Sequence, residues 1–361
     1  MNASGAVPVL ETKRTQGERA QRTPEIWIAI VLAIAIAAAF WGLQRYPALL
    51  KKLHSGTAIH VSGAISFDAL LPVKPGMPLS ERVARTSVNW LWTNRFGMYF
   101  ALPFGAAMMT MLAQMKGRKQ FKYAATNVLC GAVAGAPLGV CTNCATPIGQ
   151  SLLAGGASTR MTVAAMISSP SFNPVVIAMV FVLFPLKLAI LRVIVPAVLL
   201  LALPWFVKER EPTALGIRLP VEQLPFAERG LLLGKTFLRN LLRLFLMTLP
   251  WMLLAALLGG LASEAIPAYG THLPLSVFGV VLVAIFGTLL PVPMAFDAGL
   301  AWVLFRAGVP LPYVAALLCT LGPVSIYSLT ALGKQLGRQT SLKLTAATAL
   351  LGTVAGLIAM I

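Results

Sequence analysis

Cys141–Thr142–Asn143–Cys144 is a pair of thiols three positions apart. On a helix, residues i and i+3 share one face. Two sulfurs so placed can chelate one soft, thiophilic ion or close a disulfide. The pair is half of a structural zinc site, and no second half is evident in the sequence. Cys130 lies upstream on the same apolar piece and could add a third sulfur. As a lone thiol it reads better as a small buried hydrophobe, and so does Cys319. Downstream, Ser168, Ser169, Ser171 and Asn173 crowd around Pro170 and Pro174 inside an apolar run. Hydroxyls can re-satisfy a kinked helix. Asn173 exceeds that need, so it and Ser169 are candidates to line a solute site with Cys141, Asn143 and Cys144. Asp297 is an acid within another apolar run, where a carboxylate is expensive and functional by default. It could carry protons and so couple a process to a proton gradient, with Arg306 either as its partner or only as a marker of the loop. Alternatively it caps a helix end. Lys187 and Arg192 read as interfacial side chains that snorkel to water.

These residues sit in a chain of 361 residues that is 58% hydrophobic and 11% charged, with a mean hydropathy of +0.80. Soluble domains carry about 25% charged residues. Several apolar runs reach the ~20 residues that cross a bilayer. The expected class is an all-α polytopic membrane protein, embedded in a lipid bilayer. The net charge of +18 raises nucleic acid as a partner. The Lys and Arg residues lie in short loops between apolar runs, as the positive-inside rule requires, so no nucleic acid is expected. His54 and His60 in a loop read as solvated. Met108, Met109, Met111 and Met115 read as packing residues rather than soft-metal ligands. No G-x-x-x-x-G-K-[ST] motif is present for ATP. Neither enzyme activity nor a cofactor is expected, and the composition leaves the oligomeric state open.

The apolar runs divide the chain. Residues 1–25 form a polar cytoplasmic tail. Residues 26–43 are a transmembrane anchor, bracketed by Trp27 and Trp41 as an aromatic belt would be; the long polar leader disfavours a cleaved signal peptide. Residues 44–94 read as an extracytoplasmic loop, 95–207 as a first transmembrane repeat, 208–236 as a cytoplasmic linker and 237–361 as a second repeat. Sliding the chain by 152 residues places Gly135 on Gly287, Leu138 on Leu290, Val140 on Val292 and Gly156 on Gly308. The breaks coincide as well. Cys141–Pro147 falls on Pro293–Gly299, and Pro170 falls on Gly322. The loop Lys116–Lys122 before the first broken pair is basic, whereas its counterpart at 264–273 lacks Lys and Arg. Like segments then face opposite sides. This is an inverted-topology repeat with two broken helical hairpins, re-entrant or paired, and about seven simple crossings. Such a plan places a site near the midplane, between discontinuous helices. Thr320, Ser325 and Tyr327 mirror the hydroxyl cluster.

The stretch G-A-P-L-G-V-C-T-N-C-A-T-P-I, the loop G-G-A-S-T-R and the run S-S-P-S-F-N-P-V-V resemble the predicted permeases that include the trivalent organoarsenical efflux permeases. The resemblance covers roughly residues 95–335. It implies a multi-pass exporter of the bacterial inner membrane whose substrate is a small molecule or metalloid. In the arsenical members, thiols bind methylated or aromatic trivalent arsenic, a role that falls here on Cys141 and Cys144. The chain departs from that pattern in having Ala145 after the pair, and Pro293 and Phe296 at the mirrored positions. A permease for an unrelated small solute is the alternative within this class, and two readings from other classes stand beside it. One is a membrane thiol–disulfide oxidoreductase that uses Cys141 and Cys144. The other is a membrane-embedded scaffold.

Overall fold

The computed structural model describes residues 24–47, 50, 70–74, 76–114, 121–210, 225–269, 274–293 and 296–361. Among these the chain is helical throughout, with no strand. Helix α1 (Pro24–Phe40) runs into a wider π turn, Trp41–Arg45. Then follow α2 (Leu79–Gln114), α3 (Ala124–Gly135), α4 (Thr142–Ala154), α5 (Thr159–Ser171), α6 (Pro174–Leu183) and α7 (Leu186–Phe206). The second half has α8 (Phe226–Tyr269), α9 (Val277–Leu289), α10 (Phe296–Arg306), α11 (Leu311–Thr320), α12 (Ile326–Leu336) and α13 (Arg338–Ile358). The starts of α5 and α11, of α6 and α12, and of α7 and α13 each lie 152 residues apart.

Among the described residues, four helices are long and apolar enough to cross a membrane: α2, α7, α8 and α13. The pair α5–α6, bent by 41°, makes a fifth if it is one span. This is fewer than the seven simple crossings read from the sequence. The apolar runs are real, but prolines and polar residues cut them into short helices. At 1.5 Å per residue, a 13-residue helix such as α4 reaches about 20 Å, short of the ~30 Å hydrocarbon core. Two long helices also extend beyond the expected spans. Helix α2 begins at Leu79, inside the stretch read as loop 44–94, and α8 begins at Phe226, inside the stretch read as linker 208–236. Their extra turns mix charged and polar residues with apolar ones, so hydropathy alone stops short of them. An ion pair between Arg82 and Glu264 ties the two helices together near one end. A hydrogen bond from Asn240 to the Thr110 hydroxyl, 2.9 Å, ties them again further along.

Close packing of the short helices depends on glycine. A side chain at Gly135 would run into the Ala165 backbone and the Ser168 hydroxyl on α5. A side chain at Gly287, at the equivalent place on α9, would run into Thr320 and Leu317 on α11. The contacted residues are again 152 apart. Helices α5 and α11 are nearly wholly buried, while Leu129, Val133, Leu201 and Trp205 form part of an exposed apolar exterior, as a lipid-facing surface requires. The apolar clusters interlock. Val176, Val180 and Leu188 of the first half pack in the cluster centred on the second. Val324, Leu332 and Leu344 of the second half pack in the cluster centred on the first.

Candidate solute site at the helix breaks

The first break lies between α3 and α4. A single 3₁₀ turn, Ala136–Leu138, ends at Gly139, whose φ of +58° is left-handed and suits glycine. The chain then extends through Val140 and turns into α4 at Cys141. The sequence placed this break at Cys141–Pro147. Pro147 instead lies inside α4, in its second turn, and the helix continues past it. The second break, Phe172–Asn173, separates α5 from α6 and follows Pro170 by one turn at most. In the second half the chain is extended through Leu290–Pro293 before α10, and it breaks again between Thr320 and Ser325. Asp297 sits in the first turn of α10 and Pro323 lies in the last break.

Cys141 caps α4: its sulfur accepts the Cys144 amide at 3.4 Å. This puts the two sulfurs 3.0 Å apart, both as free thiols in the interior. At that separation both can reach one ion with metal–sulfur bonds of about 2.3 Å. Asn94 of α2 brings its side-chain oxygen to 3.6 Å from the Cys141 sulfur, and Gly97 leaves room for the sulfur of Cys144. The other expected residues hold the breaks. Ser169 accepts the Val140 amide at 3.2 Å. Asn173 caps α6 by accepting the Val175 amide at 3.0 Å, and it donates to the Gly139 carbonyl at 2.9 Å. Ser325, its counterpart 152 residues on, caps α12. Asn143 donates to the Val292 carbonyl at 3.0 Å, and its own carbonyl oxygen is buried without a partner. Thr142 donates to the Gly322 carbonyl. The start of α4 is thereby bonded directly to both breaks of the second half.

Two expectations about charges are overturned. Arg192 does not snorkel: it is 1% exposed. It lies more than a turn inside α7, too deep to reach water past its neighbours. Asp297 pairs with this Arg192, at 2.9 Å, and not with Arg306, which lies near the Trp302 ring. Arg192 also donates to the Ser171 carbonyl at 3.4 Å. One buried ion pair therefore joins α7 of the first half to α10 of the second. Cys130 is half-buried on α3 and joins no cluster. No group of three or more His, Cys, Asp and Glu residues with metal-binding placement exists among the described residues, so any ion at Cys141 and Cys144 has two protein ligands of this kind. His54, His60, His272 and Met115 lie outside the described residues.

All four breaks meet at one narrow cavity, whose wall includes Cys141, Thr142, Asn173, Pro293, Asp297 and Gly322. Helices α4, α6 and α10 start at it, and α5 and α11 end at it. Unpaired amides at helix starts favour negative charge and carbonyls at helix ends favour positive charge, so the junction can meet polar groups of either sign within a hydrophobic protein. The sequence reading missed Arg45, which is 5% exposed and lies beside Gly139 at the first break. Its only sequence signal is a cation ending an apolar run, which any interfacial residue gives.

A family model described as a predicted permease (ArsP_1) matches residues 98–361, from the middle of α2 to the last residue. No curated protein and no solved structure matches the chain. The extent of the family match, together with the apolar helices that meet at a shared polar junction, places the chain in the predicted permease family of membrane transporters.

Proposed function

We propose that this permease is a secondary exporter of the bacterial inner membrane, and that its two halves are inverted repeats whose breaks form the solute pathway. The observation that carries the reading is the meeting of all four breaks at one cavity lined by both halves. Irregular backbone at membrane depth is stable only when buried in protein or lining a cavity. Here it does both. The proposed cargo is a small thiophilic solute such as a trivalent organoarsenical. Cys141 and Cys144 bind it, while Asn143, Ser169 and Asn173 keep the broken backbone in place around it.

Asp297 provides the coupling in this scheme. A proton arriving on Asp297 releases Arg192, the tie between α7 and α10, so protonation and movement of the halves are linked. The sensitivity of cells to a panel of trivalent arsenicals and soft metal ions tests the proposal, with the protein expressed as wild type, Cys141→Ser, Cys144→Ser and Asp297→Asn. Resistance to at least one trivalent arsenical, lost in the cysteine variants, is expected. Unchanged sensitivity to the whole panel would contradict the thiophilic cargo, and proton coupling retained in Asp297→Asn would remove that role. A thiol–disulfide cycle needs both sulfurs, so a single-cysteine variant with partial transport separates the permease from the oxidoreductase.

A further inference from the structure

Helix α1 and its π turn precede the residues that match the permease family, yet they reach the first break. Trp41 donates its ring N–H to the Pro137 carbonyl. Arg45 passes beside Gly139: a side-chain carbon at that glycine would lie 3.7 Å from the Trp41 ring and 3.8 Å from the Arg45 Cδ. The Arg45 guanidinium lies over the Phe40 ring at 4.3 Å and within electrostatic reach of both Cys141 and Cys144. Arg45 is 5% exposed, and its Nε has no hydrogen-bond partner.

A guanidinium is charged at any physiological pH, and a buried charge is costly unless paired. The carboxylates described at side-chain level do not meet the need. Glu81, Glu209, Glu264 and Asp297 pair with Arg85, Arg160, Arg82 and Arg192 respectively, and Glu228 is exposed at the start of α8. The thiols lie at the start of α4, where the helix dipole also favours negative charge. The Asn143 side-chain carbonyl oxygen, buried in the same turn between the two cysteines, is spare. Among the described residues, the cation and the helix start thus lie near the sulfurs without a resident carboxylate.

We infer that Arg45 makes the cysteine pair selective for thiol-reactive solutes that carry a negative charge. This rests on the reading of the pair as a solute site, and it assigns charge selection to a helix outside the family match. Capture is substitution without redox change. A cysteine sulfur bonds the soft centre of the solute, the bond from that centre to a hydroxyl breaks, and the hydroxyl leaves as water with the thiol proton. The anionic group of the solute meanwhile faces Arg45.

Methanethiosulfonate reagents of matched size test the inference on the full-length protein purified in detergent. A cysteine thiolate attacks the reagent's sulfenyl sulfur to give a mixed disulfide, and methanesulfinate leaves. Rates at Cys141 and Cys144 are read by peptide mass for an anionic, a neutral and a cationic reagent, each divided by the rate at the half-buried Cys130. The anionic reagent is expected to react at least about tenfold faster than the cationic one, as follows for unit charges within about 10 Å in a partly shielded medium. The ratio is expected to fall to about one in Arg45→Gln and to survive in Arg45→Lys. A ratio near one in the wild type, or one unchanged in Arg45→Gln, overturns the charge selection and leaves the thiol site standing. No reaction at either cysteine with any reagent overturns the solute site itself. The wild-type ratio decides even where a variant fails to fold.

Discussion

The two halves of this permease share a scaffold and divide the chemistry. Gly135 and Gly287 allow the same helix–helix approach, and Asn173 and Ser325 cap the corresponding helices α6 and α12. The residues in and around the cavity wall differ. Cys141 and Cys144 face Pro293 and Phe296 across the 152-residue offset, Ala145 faces Asp297, and Arg192 faces Leu344. Backbone breaks must be stabilised in both halves, so the residues that do this recur in both. In the proposed pathway a solute would contact both halves at once, so a binding group would be needed in only one. The thiols belong to the first half, the carboxylate to the second, and the arginine that pairs with the carboxylate to the first. The ion pair therefore depends on both halves, whereas the caps and glycines serve each half locally.

The largest effect should come from breaking that shared feature. Asp297→Ala strands a buried arginine and is expected to cost about 3–5 kcal/mol, read as a lowered thermal midpoint in detergent. Giving both positions the residues of their counterparts, Arg192→Leu with Asp297→Ala, is expected to recover most of the loss, because an apolar pair needs no partner. A double variant less stable than Asp297→Ala alone would show that Arg192 has another essential anchor. Next come the glycines. A methyl group at Gly135 meets Ala165 backbone, its Cα at 2.6 Å, whereas at Gly287 it meets side chains, the Leu317 Cδ2 at 3.1 Å among them. Side chains can yield more easily than backbone. Gly135→Ala is expected to lie at the upper end of the ~1–3 kcal/mol overpacking range and Gly287→Ala at the lower end, by the same thermal assay. The smallest difference is between the caps. Ser325→Ala should cost about 1 kcal/mol. Asn173→Ala should cost more, because it also removes the bond to the Gly139 carbonyl. Equal losses would mean that this second bond contributes nothing.

Much of this arrangement was legible in the sequence. The 152-residue offset, the prolines and the cysteine spacing located the four interrupted segments. The breaks themselves were displaced by several residues, because α4 continues through Pro147 while the left-handed Gly139 is not visible as such in a sequence. Asp297 stood out because it is an acid in an apolar run. Its partner did not: Arg192 follows Lys187 by five positions, and only three-dimensional packing shows that one reaches the surface and the other the interior. Arg45 was hidden for the same reason. A cation at the end of an apolar run looks interfacial until its neighbours across the fold are known. Long helices were underestimated because hydropathy marks the lipid-facing length and is silent on polar turns beyond it.

In this account the junction of the breaks is the pathway, and the cargo binds Cys141 on its wall together with Cys144, whose sulfur lies 3.0 Å from that of Cys141. Uptake of a radiolabelled trivalent organoarsenical into everted membrane vesicles tests it most directly. Proton-gradient-dependent accumulation is expected with the wild type and with Cys130→Ser, and loss of at least about tenfold is expected with Cys141→Ser plus Cys144→Ser, in line with removal of a bidentate soft-ligand site. Equal accumulation in the double cysteine variant and the wild type would contradict the account.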